Sequence, residues 1–326
     1  MKSVDVRPIT QEQAAAFDSK DPAVRLILGA VPYRRQFFGL FDSSGVLCAR
    51  AGAAMSLGEA GGTIGFLRGD LSRAAPLFEA MEVWLKSVGA QRAIGPMQYN
   101  TWFTYRVRVD AADGPSFGWE PEASSGAEHA RLVAGAFAGY KVIESYSSKG
   151  LGGLEHFLEL VSPDLSFATE KGFVLKSFAE LMADETGKKN LLSALYRLSM
   201  EAFREAFLFT PISEEVFTAL YVSGLSQIRE LSFSSVAFSA SGEPAAFTFA
   251  FPDQGYVVLK TVAVGKLFRG QRLANATMAF AVERAREQGL DKMVHAMMRS
   301  DNVSQSWGAK ASLLWEHRYA LFAKDL

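Results

Sequence analysis

The most restrictive feature of the sequence is a strand that runs directly into a helix between residues 257 and 274. Residues 257–264 form an apolar run of strand length, rich in β-branched side chains. From Phe268 onward the sequence has high helix propensity up to a stop at Gly289. A helix start leaves backbone N–H groups unpaired and carries partial positive charge, so it can bind a phosphate group without a metal ion. The small residue Gly270 would let that phosphate come close.

This stretch resembles the pyrophosphate-binding motif of the GCN5-related N-acetyltransferases (the GNAT superfamily), Q/R-x-x-G-x-G/A after a strand that often ends in V-A-V. Arg269 matches its first position and Ala274 its last, whereas Arg272 stands where the family usually has a central glycine. Arg272 either crowds the loop or points outward to pair with a phosphate. The resemblance implies that acetyl-CoA, or another acyl-CoA, is bound by Thr261, Val262, Ala263, Val264, Arg269, Gly270, Gln271, Arg272, Leu273, Ala274 and Asn302. A strand, a turn and an amphipathic helix are also common in other α/β proteins.

The segments that follow have the order of the second half of a GNAT domain. Residues 291–298 are predicted to form a strand, a short helix is predicted from Asp301 or Asn302 to Ala311, and residues 318–323 a closing strand. The resemblance therefore predicts the α/β class, with an α+β mixed sheet.

The first half of the chain shows a similar order of elements. It reads as strand, helix, hairpin, strand, helix and strand, at residues 4–9, 10–13, 37–55, 63–67, 74–88 and 92–96, where residues 10–13 are a capped helix start with Gln13 at its third position. Residues 68–73 lack a glycine-rich phosphate loop. We therefore expect two tandem GNAT-like domains, a degenerate one at 1–160 and an acyl-CoA-binding one at 161–326. Residues 151–171 are expected to be a connector with a break at Pro163.

Aromatic and amide side chains are concentrated in residues 95–106, and such groups often line small-molecule pockets. The segment is similar to one in bacterial tandem-GNAT proteins whose substrates the resemblance does not supply. A packing role between the two domains is an equally good interpretation. The predicted substrate contacts are Tyr99, Asn100, Trp102, Tyr105 and Lys260.

Composition excludes several other classes. Lys and Arg number 34 against 35 Asp and Glu, so the net charge of −1 offers no footprint for nucleic acid or an anionic membrane. Cys48 is the only cysteine and the four histidines lack ligand spacing, so neither a disulfide nor a catalytic metal is expected. With no signal peptide and no apolar stretch approaching roughly 20 residues, a soluble cytoplasmic protein is expected, as a monomer or homodimer.

The resemblance implies direct attack of an amine on the acyl-CoA thioester, which needs proton transfer to and from the reactants. His295 is the candidate base because imidazole titrates near neutrality, although a lone histidine on an apolar strand is more often a core residue; Lys260 is the alternative. Residues 302–311 lack the tyrosine that often protonates the sulfur in this family, so Ser304, Ser306 or water would replace it.

We therefore expect an acyl-CoA-dependent N-acyltransferase, most simply an N-acetyltransferase, for a small amine or amino-acid-like substrate. A non-catalytic acyl-CoA-binding or interaction protein is the alternative. Transfer to oxygen, or of a longer acyl chain, is a third possibility.

Overall fold

The computed structural model describes residues 4–17, 33–55, 61–110, 114–121, 126–301 and 311–326. The chain forms two compact units. Unit 1 consists of residues 1–111, 116–145 and 318–326, and unit 2 of residues 112–115 and 146–317. Strands and helices are mixed along the described chain, so the predicted α/β class is confirmed.

Unit 1 is built on a mixed sheet whose strand order is β1-β2-β3-β4-β5-β13, with β6 also paired to β13. Its only parallel pair among the described residues is β4 with β5. The elements are β1 (Asp5–Ile9), α1 (Gln11–Phe17), β2 (Arg34–Phe41), β3 (Leu47–Met55), β4 (Gly61–Gly69), α2 (Ala75–Ser87), β5 (Arg92–Gly95), β6 (Val107–Arg108), α3 (Gly126–Ala136) and the end of β13 (Ser312–Asp325).

The predicted elements of unit 1 form for the reasons that the sequence indicates. Thr10 and Gln13 make the expected capping box at α1, since the Thr10 hydroxyl accepts from the Gln13 amide and the Gln13 side chain accepts from the Thr10 amide. The apolar stripe of α2, including Leu77 and Leu85, is buried in a core with strands β2 to β4. Strand β6 and helix α3 were not predicted.

The strands of unit 2 pair in the order β7-β12-β11-β10-β9-β8, and only β11 and β12 are parallel among the described residues. Helices α4 and α8 pack together and share a core with β11 and β12, while α6 contacts β10 and β11. The elements are β7 (Lys141–Gly152), α4 (Leu154–Glu170), β8 (Val174–Ser177), α5 (Phe178–Leu181), α6 (Glu185–Ala202), α7 (Glu214–Leu225), β9 (Ser235–Phe238), β10 (Pro244–Asp253), β11 (Tyr256–Val264), α8 (Leu273–Glu287) and β12 (Lys292–Arg299).

The prediction that residues 151–171 are a connector is wrong. They contain the end of β7 and the helix α4, which continues through Pro163. A proline inside a helix costs about 3 kcal/mol. Burial of Leu154, Phe157, Leu158 and Val161 against α8 outweighs that cost, since each such side chain contributes roughly 1.5–3 kcal/mol.

The domain boundary predicted at residue 160 falls inside α4, whereas the compact units change between residues 145 and 146. The division into 1–160 and 161–326 stays a prediction. No helix in the described part of the chain is both long and apolar enough to cross a membrane.

Candidate functional site

Strands β11 and β12 separate halfway along their length. Their parallel pairing runs from Tyr256 and Lys292 to Leu259 and His295 and ends there, although both strands continue. Strand β11 carries Lys260 as an extra residue against β10, and β12 changes register against β7 just after His295. Because bulges bend the strands that carry them, a gap opens between β11 and β12 beyond this level.

The backbone of β11 faces this gap at alternate residues. Gly265 donates its amide to the Ala245 carbonyl of β10 at 2.8 Å. Successive residues of a strand direct their amides to opposite sides, so the amides of Thr261 and Ala263 also point towards β10. The amides of Val262 and Val264 therefore point away from β10, towards the gap.

The segment after β11 leads into the start of α8 through a short 3-10 turn, Lys266–Phe268. Gly270 has a φ of 81°, and a Cβ atom placed on it would meet no atom within 4 Å. Arg272 occupies the N-cap position of α8 in a left-handed conformation and makes no side-chain cap. The first helical bond of α8 runs from the Ala276 amide to the Arg272 carbonyl at 3.1 Å. The three preceding amides, those of Leu273, Ala274 and Asn275, therefore have no carbonyl partner within the helix.

Two hydroxyl groups hold the start of α8 against the sheet. Thr248 of β10 donates to the Thr277 hydroxyl at 2.7 Å, and both residues are fully buried. The Thr277 hydroxyl in turn donates to the carbonyl groups of Leu273 and Ala274. This anchor fixes the helix start relative to β10, the neighbour of the strand that lines the gap.

Arg269 and Arg272, in the loop between β11 and α8, both contact carboxylates. Arg269 lies 4.0 Å from Glu205 and is about half exposed, with 47% of its side-chain surface accessible. Arg272 extends to α4, where its Nη1 lies 3.2 Å from the Asp164 Oδ1 and its guanidinium carbon lies 5.0 Å from the centre of the Phe167 ring. Sequence reasoning missed Asp164 because it assigned that residue to a connector.

The candidate base His295 is only 2% exposed, and its ring meets Phe157 edge-on at 5.3 Å. Burial, and secondarily the charge of Lys149, lower the pKa of His295 to about 4. The imidazole is therefore neutral at pH 7. Lys260, at the bulge, places its Nζ 3.3 Å from the Met297 sulfur. The roles assigned to these two residues stay predictions.

Other predicted site residues cannot be placed around the gap. Asn302, Ser304 and Ser306 lie outside the described residues. Within the described ranges, no group of three or more His, Cys, Asp or Glu residues could hold a metal ion.

The aromatic segment predicted to contact substrate belongs to unit 1, whereas Lys260 belongs to unit 2. Tyr99 is 2% exposed and packs against Tyr33, Phe66 and Phe103. Its neighbour Asn100 is also buried; it donates to the Tyr33 hydroxyl and accepts from the Trp102 amide. Tyr105 is half-buried, with the guanidinium of Arg106 over its ring. These contacts all lie within unit 1, so substrate binding by the segment and packing between the two domains both stay predictions.

Comparison with known proteins relates part of this chain to a known family. A model of the Acetyltransferase (GNAT) family matches residues 192–306, which include β11, the loop and α8. No curated protein matches the chain. Among solved structures, the tandem GNAT protein from the clavulanic acid biosynthesis pathway is similar over 99% of this chain and 98% of its own, with 12% identity and a TM-score of 0.52.

Two further structures share the fold over 99% of this chain. One is a GCN5-related glucosamine N-acetyltransferase region of a fungal multi-domain beta-N-acetylglucosaminidase, with 12% identity and a TM-score of 0.57; this chain spans 38% of its length. The other, from Enterococcus faecalis V583, is a conserved protein of unknown function described as a probable N-acyltransferase, with 9% identity, a TM-score of 0.55 and 73% of its length covered. At such identities the likeness shows the fold alone. Residues 192–306 of this chain therefore match the Acetyltransferase (GNAT) family, and the whole chain has the fold of a tandem GNAT protein.

Proposed function

We propose that the protein is an acyl-CoA-dependent N-acyltransferase that transfers an acetyl group directly to a small amine. The observation that supports this proposal best is the gap between β11 and β12, which is followed directly by an α8 start that Arg272 does not cap. A ligand that carries both a carbonyl group and a pyrophosphate can accept hydrogen bonds from the Val262 and Val264 amides and from the first amides of α8. A small-molecule acceptor and a cytoplasmic location belong to the same proposal.

The backbone and the loop have distinct roles in this proposal. The Val262 and Val264 amides would donate hydrogen bonds to the carbonyl groups of the pantetheine arm and of the acyl group, as the amides of a strand do to a neighbouring strand. The Gly270 loop and the first amides of α8 would hold the pyrophosphate, with Arg269 as a charged partner. Bound acyl-CoA would supply the activated thioester.

His295 has little physical support as the general base. A group whose pKa is about 4 takes a proton from an ammonium ion only at a large free-energy cost, since each pKa unit of mismatch corresponds to about 1.4 kcal/mol. The acceptor amine therefore loses its proton to water or binds in its neutral form. The same observation favours the second candidate function, an acyl-CoA-binding protein without turnover.

Calorimetric titration with acetyl-CoA tests the cofactor site. The wild type should bind one equivalent, and Gly270→Glu should weaken binding at least about tenfold, because it places a carboxylate in the phosphate loop. Gly255→Glu is the matched control: Gly255 has a φ of 80°, also has open space around it, and lies in the β10–β11 turn. The Gly255→Glu variant should bind acetyl-CoA like the wild type.

Failure of the wild type to bind acetyl-CoA or longer acyl-CoAs would exclude the transferase. If it binds, a screen of small amines for release of free thiol separates the two candidate functions. Turnover with any amine supports the transferase, whereas binding without turnover across the screen supports the non-catalytic protein.

A further inference from the structure

The position at which this chain departs from the family motif is also the position of an ion pair. Arg272 occupies a left-handed conformation, with φ 61° and ψ 14°, that glycine adopts more readily. Its side chain is 58% exposed and reaches Asp164 on α4. An ion pair this exposed and the contact with the Phe167 ring together return about as much stability as the left-handed conformation of a non-glycine residue costs. Fold stability alone therefore gives no reason for an arginine here.

Asp164 lies beside the helix start that the proposed function assigns to the pyrophosphate. One carboxylate oxygen contacts Arg272, the N-cap residue of α8, and the other accepts from the Asn275 side chain at 2.7 Å. Asp164 is 9% exposed, so water screens its charge weakly. A carboxylate at this position is attracted by the partial positive charge of the helix start and repels any phosphate bound there.

We propose that Arg272 neutralises Asp164 and thereby sets the affinity of the α8 start for the pyrophosphate of the cofactor. The inference rests on the proposed function, because it concerns that same site. Both residues act as positioning residues on the electrostatics of the loop. The proposal reverses the expectation from the family motif, in which glycine at position 272 would be the better residue for binding.

Titration of the single and double variants with acetyl-CoA tests whether the two charges compensate each other. Arg272→Gly should weaken binding roughly fivefold, because it leaves the Asp164 charge beside the phosphates. Asp164→Asn preserves the shape and the acceptor oxygen for Asn275, and it should tighten binding roughly fivefold because Arg272 is then free to face the phosphates. The double variant should bind close to wild type, and Arg272→Lys should bind better than Arg272→Gly.

Two further measurements separate this role from a merely structural one. All these differences should shrink as potassium chloride is raised from about 0.05 M to about 0.5 M, because salt screens charge interactions. The melting temperature of Arg272→Gly should stay level or rise, since glycine relieves the left-handed conformation. A loss of affinity without a loss of stability is therefore the expected signature.

The control is a second ion pair between the same two helices. Glu155 of α4 and Arg286 near the end of α8 lie 3.7 Å apart, and both are exposed. Glu155→Gln should leave acetyl-CoA affinity unchanged. Equal or tighter binding by Arg272→Gly, or weaker binding by Asp164→Asn, would overturn the inference while leaving the cofactor site intact. Absence of binding by the wild type would instead overturn the proposed function, and the inference with it.

Discussion

Units 1 and 2 contain the same local architecture with opposite outcomes. In unit 1, β4 pairs in parallel with β5 only up to Thr63 and Ile94; in unit 2, β11 pairs with β12 only up to Leu259 and His295. Each central strand then carries a bulge against its antiparallel neighbour and leads through a 3-10 turn into a helix. The two units thus form the same gap between parallel strands.

In unit 1 the protein itself fills this gap. The Met97 amide donates to the Ile64 carbonyl of β4 at 2.8 Å, and a Cβ on Gly65 would lie 2.4 Å from the Met97 carbonyl oxygen. The chain after β5 therefore satisfies β4 where a ligand would otherwise bind. The following 3-10 turn is capped too, since the Asp70 carboxylate accepts from the Ser72 amide.

In unit 2 the corresponding 3-10 turn has Gly265 at its N-cap and no side-chain cap, and the Val262 and Val264 amides face the gap. Buried backbone groups need partners, whether these come from the chain or from a ligand. The comparison indicates that unit 1 uses the gap for stability, and it supports a ligand-binding role for the gap in unit 2. Three predictions test this difference.

The largest effect is expected for Tyr99, which packs on the bulged residue Phe66 of unit 1. Tyr99→Ala should lower the free energy of unfolding by about 3–5 kcal/mol, because it empties a site that is 2% exposed. Denaturant unfolding measures this loss. Tyr99→Phe keeps the ring and should cost far less, and both variants should retain wild-type affinity for acetyl-CoA.

A different outcome at Tyr99 would break the comparison. If Tyr99→Ala raised the KM for an amine substrate without changing stability, the segment would contact substrate, as the sequence reading proposed, and unit 1 would share in the active site.

The sequence predicted strands and helices of both units but not whether protein atoms fill each gap. Apolar runs of strand length and apolar helical spacing identify β4, β11 and α2, because these patterns report burial. Pro163 misled the reading of α4, since local propensity does not include the burial that α4 gains against α8. The contact of Arg272 with Asp164 joins residues that are distant in sequence, and no local pattern reports it.

His295 should produce the next largest effect, through pH. Its folded pKa of about 4 lies below the 6.5 of an ordinary histidine, so the unfolded chain takes up the proton first as the pH falls. The stability associated with the neutral imidazole is complete above pH 6.5 and is lost progressively down to about pH 4, by roughly 3 kcal/mol. His295→Ile, which introduces the residue that unit 1 has at Ile94, should remove this loss.

Unfolding measured at pH 7 and at pH 4.5 checks the effect of His295→Ile, as the difference in pH dependence from the wild type. His156→Gln is the control, because His156 is on α4 with 44% of its side chain exposed. The stability of His156→Gln should depend on pH as that of the wild type does. Equal acid sensitivity in His295→Ile and the wild type would show that His295 reaches solvent and would revive it as a candidate base.

The smallest effect on stability is expected for Asp70, which caps the 3-10 turn of unit 1. Hydrogen bonds from the Ser72 hydroxyl and amide hold the pKa of Asp70 below its usual range, as expected for an ionised cap. Asp70→Ala should cost about 1 kcal/mol of stability, the usual value of a lost cap, and Asp70→Asn should cost less because it keeps an acceptor. Neither change removes the Met97 backbone from the gap. Titration of both variants with acetyl-CoA should therefore still end at one equivalent per chain, whereas a second equivalent would mean that the carboxylate alone had closed the site in unit 1.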